Sequence, residues 1–289
     1  MSPPVSARVV QVIANPSAGR HKARRIGKLV AALEALGATV HYTECGRSPP
    51  PIREDATHVC VAAGDGTVRH VAGMVARAGH AVALSIYPAG TINLLAREAG
   101  YPADPAAFAR LVLSSEPRRK HYPVTLGDGY FFACAGVGPD SFAVAQVSSR
   151  LKRAIGRLAY GAAILGVLAS WPRHRIVLNC GDAEIACEAF YVAKGRYYAG
   201  RWSFAPKARL DEPLLHVVAL RTARRRDYAR FVWALLRGGD VAALPNVAIL
   251  TCTSLTATAE AALPLQADGD IVGELPATMT VGEAPLVFC

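Results

Sequence analysis

The sequence predicts an α/β protein in two parts, an N-terminal doubly wound parallel sheet domain over residues 1–122 and a C-terminal β-sandwich domain with inserted helices over 123–289. Three observations predict it. Apolar strand, turn and helix alternate through roughly the first 120 residues; after Pro117 short β-like runs separated by turn residues take over; and only two later segments carry strong helical periodicity.

Val9 to Ala14 reads as the first strand, broken by the turn residues Asn15-Pro16-Ser17-Ala18-Gly19. A basic amphipathic helix follows from about His21 to Leu36, with Ile26, Leu29, Val30, Leu33 and Leu36 on one face, and Gly37 stops it. Thr39 to Thr43 is the second strand, and the stretch Gly46 to Asp55, with three consecutive prolines, is a loop. His58 to Ala62 is a third strand, Thr67 to Arg77 a helix, Ala81 to Tyr87 a fourth strand, and Asn93 to Ala99 a short helix. In the second half the β-like runs are Val124 to Leu126, Tyr130 to Ala135, Arg175 to Cys180, Glu184 to Ala193, Leu214 to Leu220, Val247 to Thr251, Ser254 to Ala259 and Met279 to Val281. The helical segments are Asp140 to Trp171, with a break near Gly156, and Arg225 to Arg237.

With 289 residues, 52% hydrophobic and 19% charged, the chain has apolar surface for one large or two ordinary cores, which excludes disordered, collagen-like and coiled-coil classes. The longest charge-free apolar stretch, Leu158 to Trp171, falls short of the roughly 20 residues of a membrane span. Met1 to Val12 lacks the pattern of a secretion signal, so a cytosolic location is expected. Seven scattered cysteines without a CxxC pair read as reduced structural thiols. A net charge of +10 favours an anionic partner: nucleotide phosphates, nucleic acid or an acidic membrane surface. No helix-turn-helix, RNP or zinc-finger signature supports nucleic acid. Nothing in the sequence chooses between a monomer and a homodimer.

The most informative stretch is Ala63-Gly64-Asp65-Gly66-Thr67, where a buried strand ends in two glycines around an aspartate and a threonine opens a helix. Glycines let backbone amides approach a ligand and the helix N-terminus adds positive potential, which suits phosphate oxygens. Asp65 would repel a phosphate unless a cation stands between them, so it implies Mg²⁺ or proton transfer. A plain strand-to-helix turn explains that loop alone equally well. A second loop, Pro88-Ala89-Gly90-Thr91-Ile92-Asn93, leaves the next strand at the same sheet edge, where open α/β sheets bind ligands, and Asn15 to Gly19 leaves the first strand there too. Neither Walker A nor GxGxxG is present. His58, His70 and His216 lack metal-ligand spacing, and Ser141, Ser148 and Ser203 lack a hydrolase context.

Asn15 to Gly19, Gly64 to Thr67 and Gly90-Thr91-Ile92-Asn93-Leu94-Leu95-Ala96-Arg97, in this order, resemble the diacylglycerol kinase catalytic-domain family, which includes soluble bacterial lipid kinases and sphingosine and ceramide kinases. The likeness continues through Gly195 to Gly200, Ala205 to Ala208 and Asp268-Gly269-Asp270. It implies ATP, with Mg²⁺, bound between a nucleotide-binding α/β domain and a β-rich lipid-acceptor domain, and a lipid hydroxyl receiving the γ-phosphoryl group. By motif position Asn15, Thr43, Gly64, Asp65, Gly66, Thr67, Gly90, Thr91 and Asn93 serve the nucleotide. Asp268 matches the position assigned to proton abstraction, and Asp270 stands where the family normally has Glu. Asp65 is a further catalytic candidate. Asp211 and Glu212 fall where the family places Asp-Asp-Gly around a structural Mg²⁺; Pro213 replaces the Gly and His216 a later Asp. Ala63 and Thr125 also depart from the pattern.

The resemblance makes the expected protein an ATP-dependent lipid kinase at an anionic membrane surface, peripherally bound. NAD kinase is the nearest enzyme alternative; it shares a Gly-Gly-Asp-Gly-Thr loop, but its Asn-Glu pair is missing, since Leu94 follows Asn93. A catalytically inactive nucleotide- or lipid-binding protein is the alternative from another class. The helix Arg224 to Arg237 reads either as an interfacial helix or as a packing helix with a basic outer face, and core-facing amphipathic helices are the commoner kind.

Overall fold

The computed structural model describes residues 8–19, 22–46, 48–79, 81–114, 119–146, 173–198 and 200–289. Arg20, His21, Ser148, Ala199, the apolar stretch Leu158 to Trp171 and the expected break near Gly156 lie outside the described residues. The chain divides into two compact units, residues 1–121 with 284–289, and residues 122–283.

The first unit is built on β1 (Val9–Ala14), α1 (Ala23–Ala35), β2 (Thr39–Glu44), β3 (His58–Ala63), α2 (Asp65–Ala78), β4 (Ala83–Pro88), α3 (Leu94–Glu98), α4 (Pro105–Leu113) and β5 (Arg119–His121). Its sheet runs β2-β1-β3-β4, all parallel, and is then extended by the C-terminal strand Leu286–Phe288, parallel to β4, and by β5, antiparallel to that strand. Residues 284–289 therefore belong with the first unit and not with the block 123–289, because Val287 and Phe288 supply the ladder that β4 would otherwise lack on that side. β1 and β3 are buried on both faces and read as continuous apolar runs, as parallel strands do. Ile26, Leu29 and Leu33 give α1 its buried stripe, each worth roughly 1.5–3 kcal/mol of transfer free energy. Leu36 is 50% exposed because it caps the helix, where the 3.6-residue period no longer applies. Gln11, buried in β1, donates to the Pro51 carbonyl and accepts from the Arg53 amide, and so holds the proline-rich loop.

The helix α4 has no counterpart among the elements expected from the sequence. Its start is nevertheless spelled out: Asp104 accepts from the Ala107 amide at 2.8 Å and Pro105 occupies the first turn.

The second unit is a β-sandwich of two six-stranded antiparallel sheets. One is ordered β10 (Ala183–Cys187), β9 (Ile176–Cys180), β14 (Ser254–Ala259), β17 (Ala277–Val281), β6 (Val124–Leu126), β7 (Gly129–Phe131). The other is ordered β13 (Val247–Cys252), β12 (Leu215–Leu220), β11 (Ala189–Ala193), β8 (Cys134–Val137), β15 (Pro264–Ala267), β16 (Asp270–Glu274). Leu178, Leu255 and Met279 of the first sheet share one core with Val192, Val217 and Leu265 of the second. Cys180 and Cys252 sit in that core and are joined by a disulfide, Cα–Cα 5.7 Å, which corrects the expectation of seven reduced thiols. α5 (Pro139–Gln146) lies at the start of the segment expected to be helical from Asp140, and the rest of that segment to Trp171 lies outside the described residues. α6 (Arg225–Arg237) covers the outer face of the second sheet: Tyr228, Phe231 and Leu235 are buried there, and the Phe231 ring stacks on Tyr191 with centroids 5.4 Å apart. The packing reading of α6 holds for this face, while Trp233 is 58% exposed beneath Arg237. Among the described residues no helix is long and apolar enough to cross a membrane.

Candidate functional site

In the first unit three loops meet where β1, β3 and β4 end. The carbonyl edge of a parallel sheet leaves each strand's following loop on one side, and here the loops are small enough to touch. A Cβ on Gly90 would stand 2.4 Å from the Gly64 Cα, and one on Gly19 would stand 2.5 Å from the Thr91 hydroxyl oxygen. Real side chains do not reach such distances, so glycine at these positions is what lets the 15–19, 64–67 and 90–93 loops close on one another. Asn15 ties two of them, donating from Nδ2 to the Thr67 hydroxyl at 2.8 Å while its Oδ1 accepts from the Ser17 amide.

Gly64 is the N-cap of α2 in an extended conformation, so the Gly66 and Thr67 amides belong to a first turn with no helical acceptors. A 14-residue helix also places its positive end here. Asp65 is the one acid in that turn. Its Oδ1 accepts from the Leu95 amide at 3.2 Å; burial pushes its pKa up, and the main-chain amides at the start of α3 pull it back. Asp65 thereby fastens α2 to the start of α3. Asn93, at φ +56°, turns both polar ends of its side chain onto Gly90, accepting from the Gly90 amide at 2.7 Å and donating to the Gly90 carbonyl at 2.8 Å. Thr91 is exposed at the loop surface, and Thr43 is half-buried near the end of β2, beside Ile13. The nine residues expected to serve the nucleotide thus occupy one sheet edge, with Asn93 and Asp65 shaping it from beneath.

In the second unit Asp268 and Gly269 form the two-residue turn between β15 and β16, with φ +49° and +86°, the left-handed pair of a tight hairpin. A solvated turn would leave Asp268 exposed, yet it is 5% exposed. Its Oδ2 accepts from the Phe132 amide at 2.9 Å, and its Oδ1 from the Ala133 and Cys134 amides at 2.8 and 3.1 Å. These bonds explain why Tyr130 to Ala135, read as one strand, is two: the amides of 132–134 turn to the carboxylate, and the chain passes from one sheet (β7) to the other (β8). Asp270 opens β16, half-buried, opposite Ala267.

Asp211 and Glu212 lie apart from these groups. Arg209 bonds Asp211 at 2.8 and 3.0 Å and pairs with Glu212 at 3.3 Å; Asp211 is exposed and Glu212 half-buried, and the guanidinium holds Asp211 below the usual carboxylate range. Their carboxylates do not fit the structural Mg²⁺ that the motif position implies, because they are spent on Arg209 and face outward. Among the described residues no three His, Cys, Asp or Glu side chains gather to hold a metal. His216 sits on β12 opposite Ala193 and Thr251; burial lowers its pKa, with Glu212 opposing and Lys194 adding to the effect.

Two buried polar groups escape a reading by motif. Lys194 follows directly after β11 and is fully buried, its Nζ donating to main-chain carbonyls. Asp140, in the first turn of α5, accepts from the Tyr198 hydroxyl at 2.6 Å while its other oxygen, buried, has no hydrogen-bond partner; burial pushes its pKa up against the Tyr198 and Tyr191 hydroxyls. A charged residue abutting an apolar run marks Lys194 in the sequence, whereas nothing local marks Asp140.

Residues 9–122 match a family model described as the diacylglycerol kinase catalytic domain, and residues 133–287 one described as the YegS C-terminal NAD kinase beta sandwich-like domain. A Pseudomonas aeruginosa protein named "Probable lipid kinase YegS-like" is 33% identical over 184 residues, 61% of this chain and 58% of its own length. The chain thus aligns with little more than half of that relative. A diacylglycerol kinase of Bacillus subtilis is 25% identical over 92% of this chain and 91% of its own. A crystal structure of a diacylglycerol kinase from Bacillus anthracis superimposes with a TM-score of 0.77 at 18% identity, covering 97% of this chain and 96% of that one, which shows a shared fold.

Proposed function

The chain belongs to the diacylglycerol kinase catalytic-domain family of lipid kinases, and from this premise we propose that it transfers the γ-phosphoryl group of ATP to the hydroxyl of a membrane lipid such as diacylglycerol. The observation that carries this reading is the close meeting of the Gly64 and Gly90 loops at the N-terminus of α2, a backbone-lined edge with amides and a helix end for phosphate oxygens. Gly64, Gly66, Thr67 and Thr91 would hold the nucleotide, with Asn15, Asp65 and Asn93 fixing the loops and Thr43 flanking them. ATP would supply the transferable group, and Mg²⁺ bound with it would supply charge neutralisation at the phosphates.

Asp268 is the carboxylate proposed to receive the acceptor hydroxyl's proton, with Asp270 beside it. Three main-chain amides fix the position of its two oxygens. Phosphoryl transfer through a loose transition state asks the acceptor side for orientation more than for early deprotonation, so a firmly held carboxylate suits the task. A non-glycine residue in left-handed backbone is also the kind of local strain that collects at functional positions. The net charge of +10 supports peripheral work at an anionic lipid surface.

Incubation with γ-labelled ATP, Mg²⁺ and mixed vesicles carrying a panel of lipid alcohols, with NAD as a separate acceptor, tests the reading. Label in a lipid is expected. Label in NAD alone would replace it with a nucleotide kinase, and label in neither would favour a binding protein.

A further inference from the structure

Lys194 follows directly after a strand buried along its whole length, and its side chain is 0% exposed. Its Nζ donates to the main-chain carbonyls of Arg209, Leu210 and Glu212 at 2.8, 2.9 and 2.7 Å. An ammonium carries three protons, and three carbonyls of one short loop meet them. We infer that the Lys194 ammonium is the resident cation of the 209–212 loop, so that this chain holds without a metal ion the segment its motif position assigns to structural Mg²⁺. The inference goes beyond the kinase reading and does not depend on the acceptor.

Converging carbonyl oxygens are what a hard cation binds, but Mg²⁺ demands them at about 2.0–2.1 Å. Here they stand at ammonium distance. The loop is also turned the wrong way for a metal: its carbonyls face the buried charge, while the Asp211 and Glu212 carboxylates face solvent and Arg209. A second cation brought to the inner side would meet the lysine's charge at close range. The replacements nearby agree with this. Pro213 follows the last of the three carbonyls and stiffens the loop around a fixed occupant, and position 216, across the ladder from Ala193, carries an imidazole where the pattern has a carboxylate. A metal would need that negative charge; a lysine already bonded to three carbonyls does not.

The same residue reaches toward Asp268. The Lys194 amide donates to the Ala133 carbonyl at 2.8 Å, and the Ala133 amide is one of the three on Asp268. The Leu210 carbonyl meanwhile also accepts from the Tyr122 amide at 3.0 Å, which ties the loop to the first residue of the second unit. Lys194 therefore joins the 209–212 loop through its ammonium and Ala133 through its amide.

The test uses the full chain without nucleotide, and no readout involves phosphoryl transfer, so it stands or falls separately from the kinase reading. Thermal unfolding of the wild type is compared in excess EDTA and in excess Mg²⁺, and Mn²⁺ binding is followed by electron paramagnetic resonance. Equal Tm in both buffers is expected, and Asp211→Asn with Glu212→Gln should leave Mn²⁺ binding unchanged. Lys194→Met should melt lower by the same amount with and without Mg²⁺, and Lys194→Ala should regain Tm with ethylammonium but not with tetramethylammonium. A Mg²⁺-dependent rise in the wild-type Tm that the Asp211→Asn, Glu212→Gln chain loses would overturn the inference, as would a Lys194→Met protein as stable as wild type. If the lysine variants do not fold, the wild-type and carboxylate arms decide alone.

Discussion

Asp65 and Asp268 do similar work in the two units, each accepting main-chain amides from a neighbouring segment, but they draw those amides from very different distances. Asp65 reaches 30 residues along the chain, from one strand-turn-helix unit into the next. Asp268 reaches 134 to 136 residues back in sequence, to the start of the strand that neighbours its own. The first unit builds its edge from backbone and glycine, and the second builds its polar interior from side chains that bond distant backbone. What breaks the first is added volume; what breaks the second is a lost acceptor or an altered charge.

The largest effect is expected in the second unit. Asp268→Ala should lower kcat by about 10² to 10⁴, the usual worth of a general base, and should lower Tm as well, because each amide left without its acceptor costs about 1–3 kcal/mol. Asp270→Ala should cost less. Steady-state rates and thermal melts on the same preparations check this; a lowered Tm with near-normal kcat would reduce Asp268 to a clamp and move the base to Asp65.

Next comes Gly90→Ala. No positive φ is involved, so the cost is steric: the new methyl meets the Gly64 Cα and Asn93 Oδ1. Overpacking of this kind costs about 1–3 kcal/mol, and ATP affinity, read by calorimetry, should fall by about 10-fold or more, each factor of 10 being about 1.4 kcal/mol. Unchanged affinity would mean that the two loops do not form one cradle.

Asp140→Asn sharpens the contrast through charge. Burial raises the Asp140 pKa in the folded protein above its ordinary 3.8. Stability from the neutral form is therefore fully present below that ordinary value and is lost as pH rises through the folded pKa. The amide does not titrate, so the variant should gain Tm relative to wild type at neutral pH, and the gain should vanish in acid. A gain independent of pH would refute the assignment. The smallest effect belongs to Gly27→Ala on the exposed face of α1, where nothing lies within 4 Å of the new methyl; stabilisation by about 0.5–1 kcal/mol in chemical denaturation is expected.

How much could be read in advance follows the same divide. Gly64 and Gly90 announce their loops because their backbones approach one another too closely for a side chain on Gly90, and a glycine is read directly from the sequence. β1, α1 and the Arg225–Arg237 helix were legible from periodicity, which is read there too. The strand pair β15 and β16 was missed because Pro264 and Gly273 interrupt the alternation, and β7 and β8 were merged because the cause of their separation, Asp268, lies far along the chain. The Cys180–Cys252 bridge is invisible locally for that reason too, and so are the carbonyls that Lys194 finds, although the lysine itself stands out beside its apolar run. Asp211 and Glu212 show the converse: a motif position kept its acids while the loop's inner face passed to another residue.

The strand Leu286–Phe288, lying between β4 and β5, sets a timetable for synthesis. The ribosome delivers all of residues 122–283 before the first unit receives its remaining strand, a wait on the order of 10 s at about 5–20 residues per second. Until then β4 has an open ladder edge, available to chaperones or to other nascent chains. A ribosome-stalled chain ending before residue 284 should show protease cleavage within the first unit that release of the full chain suppresses, so the first unit becomes proof against digestion only when the second has been made.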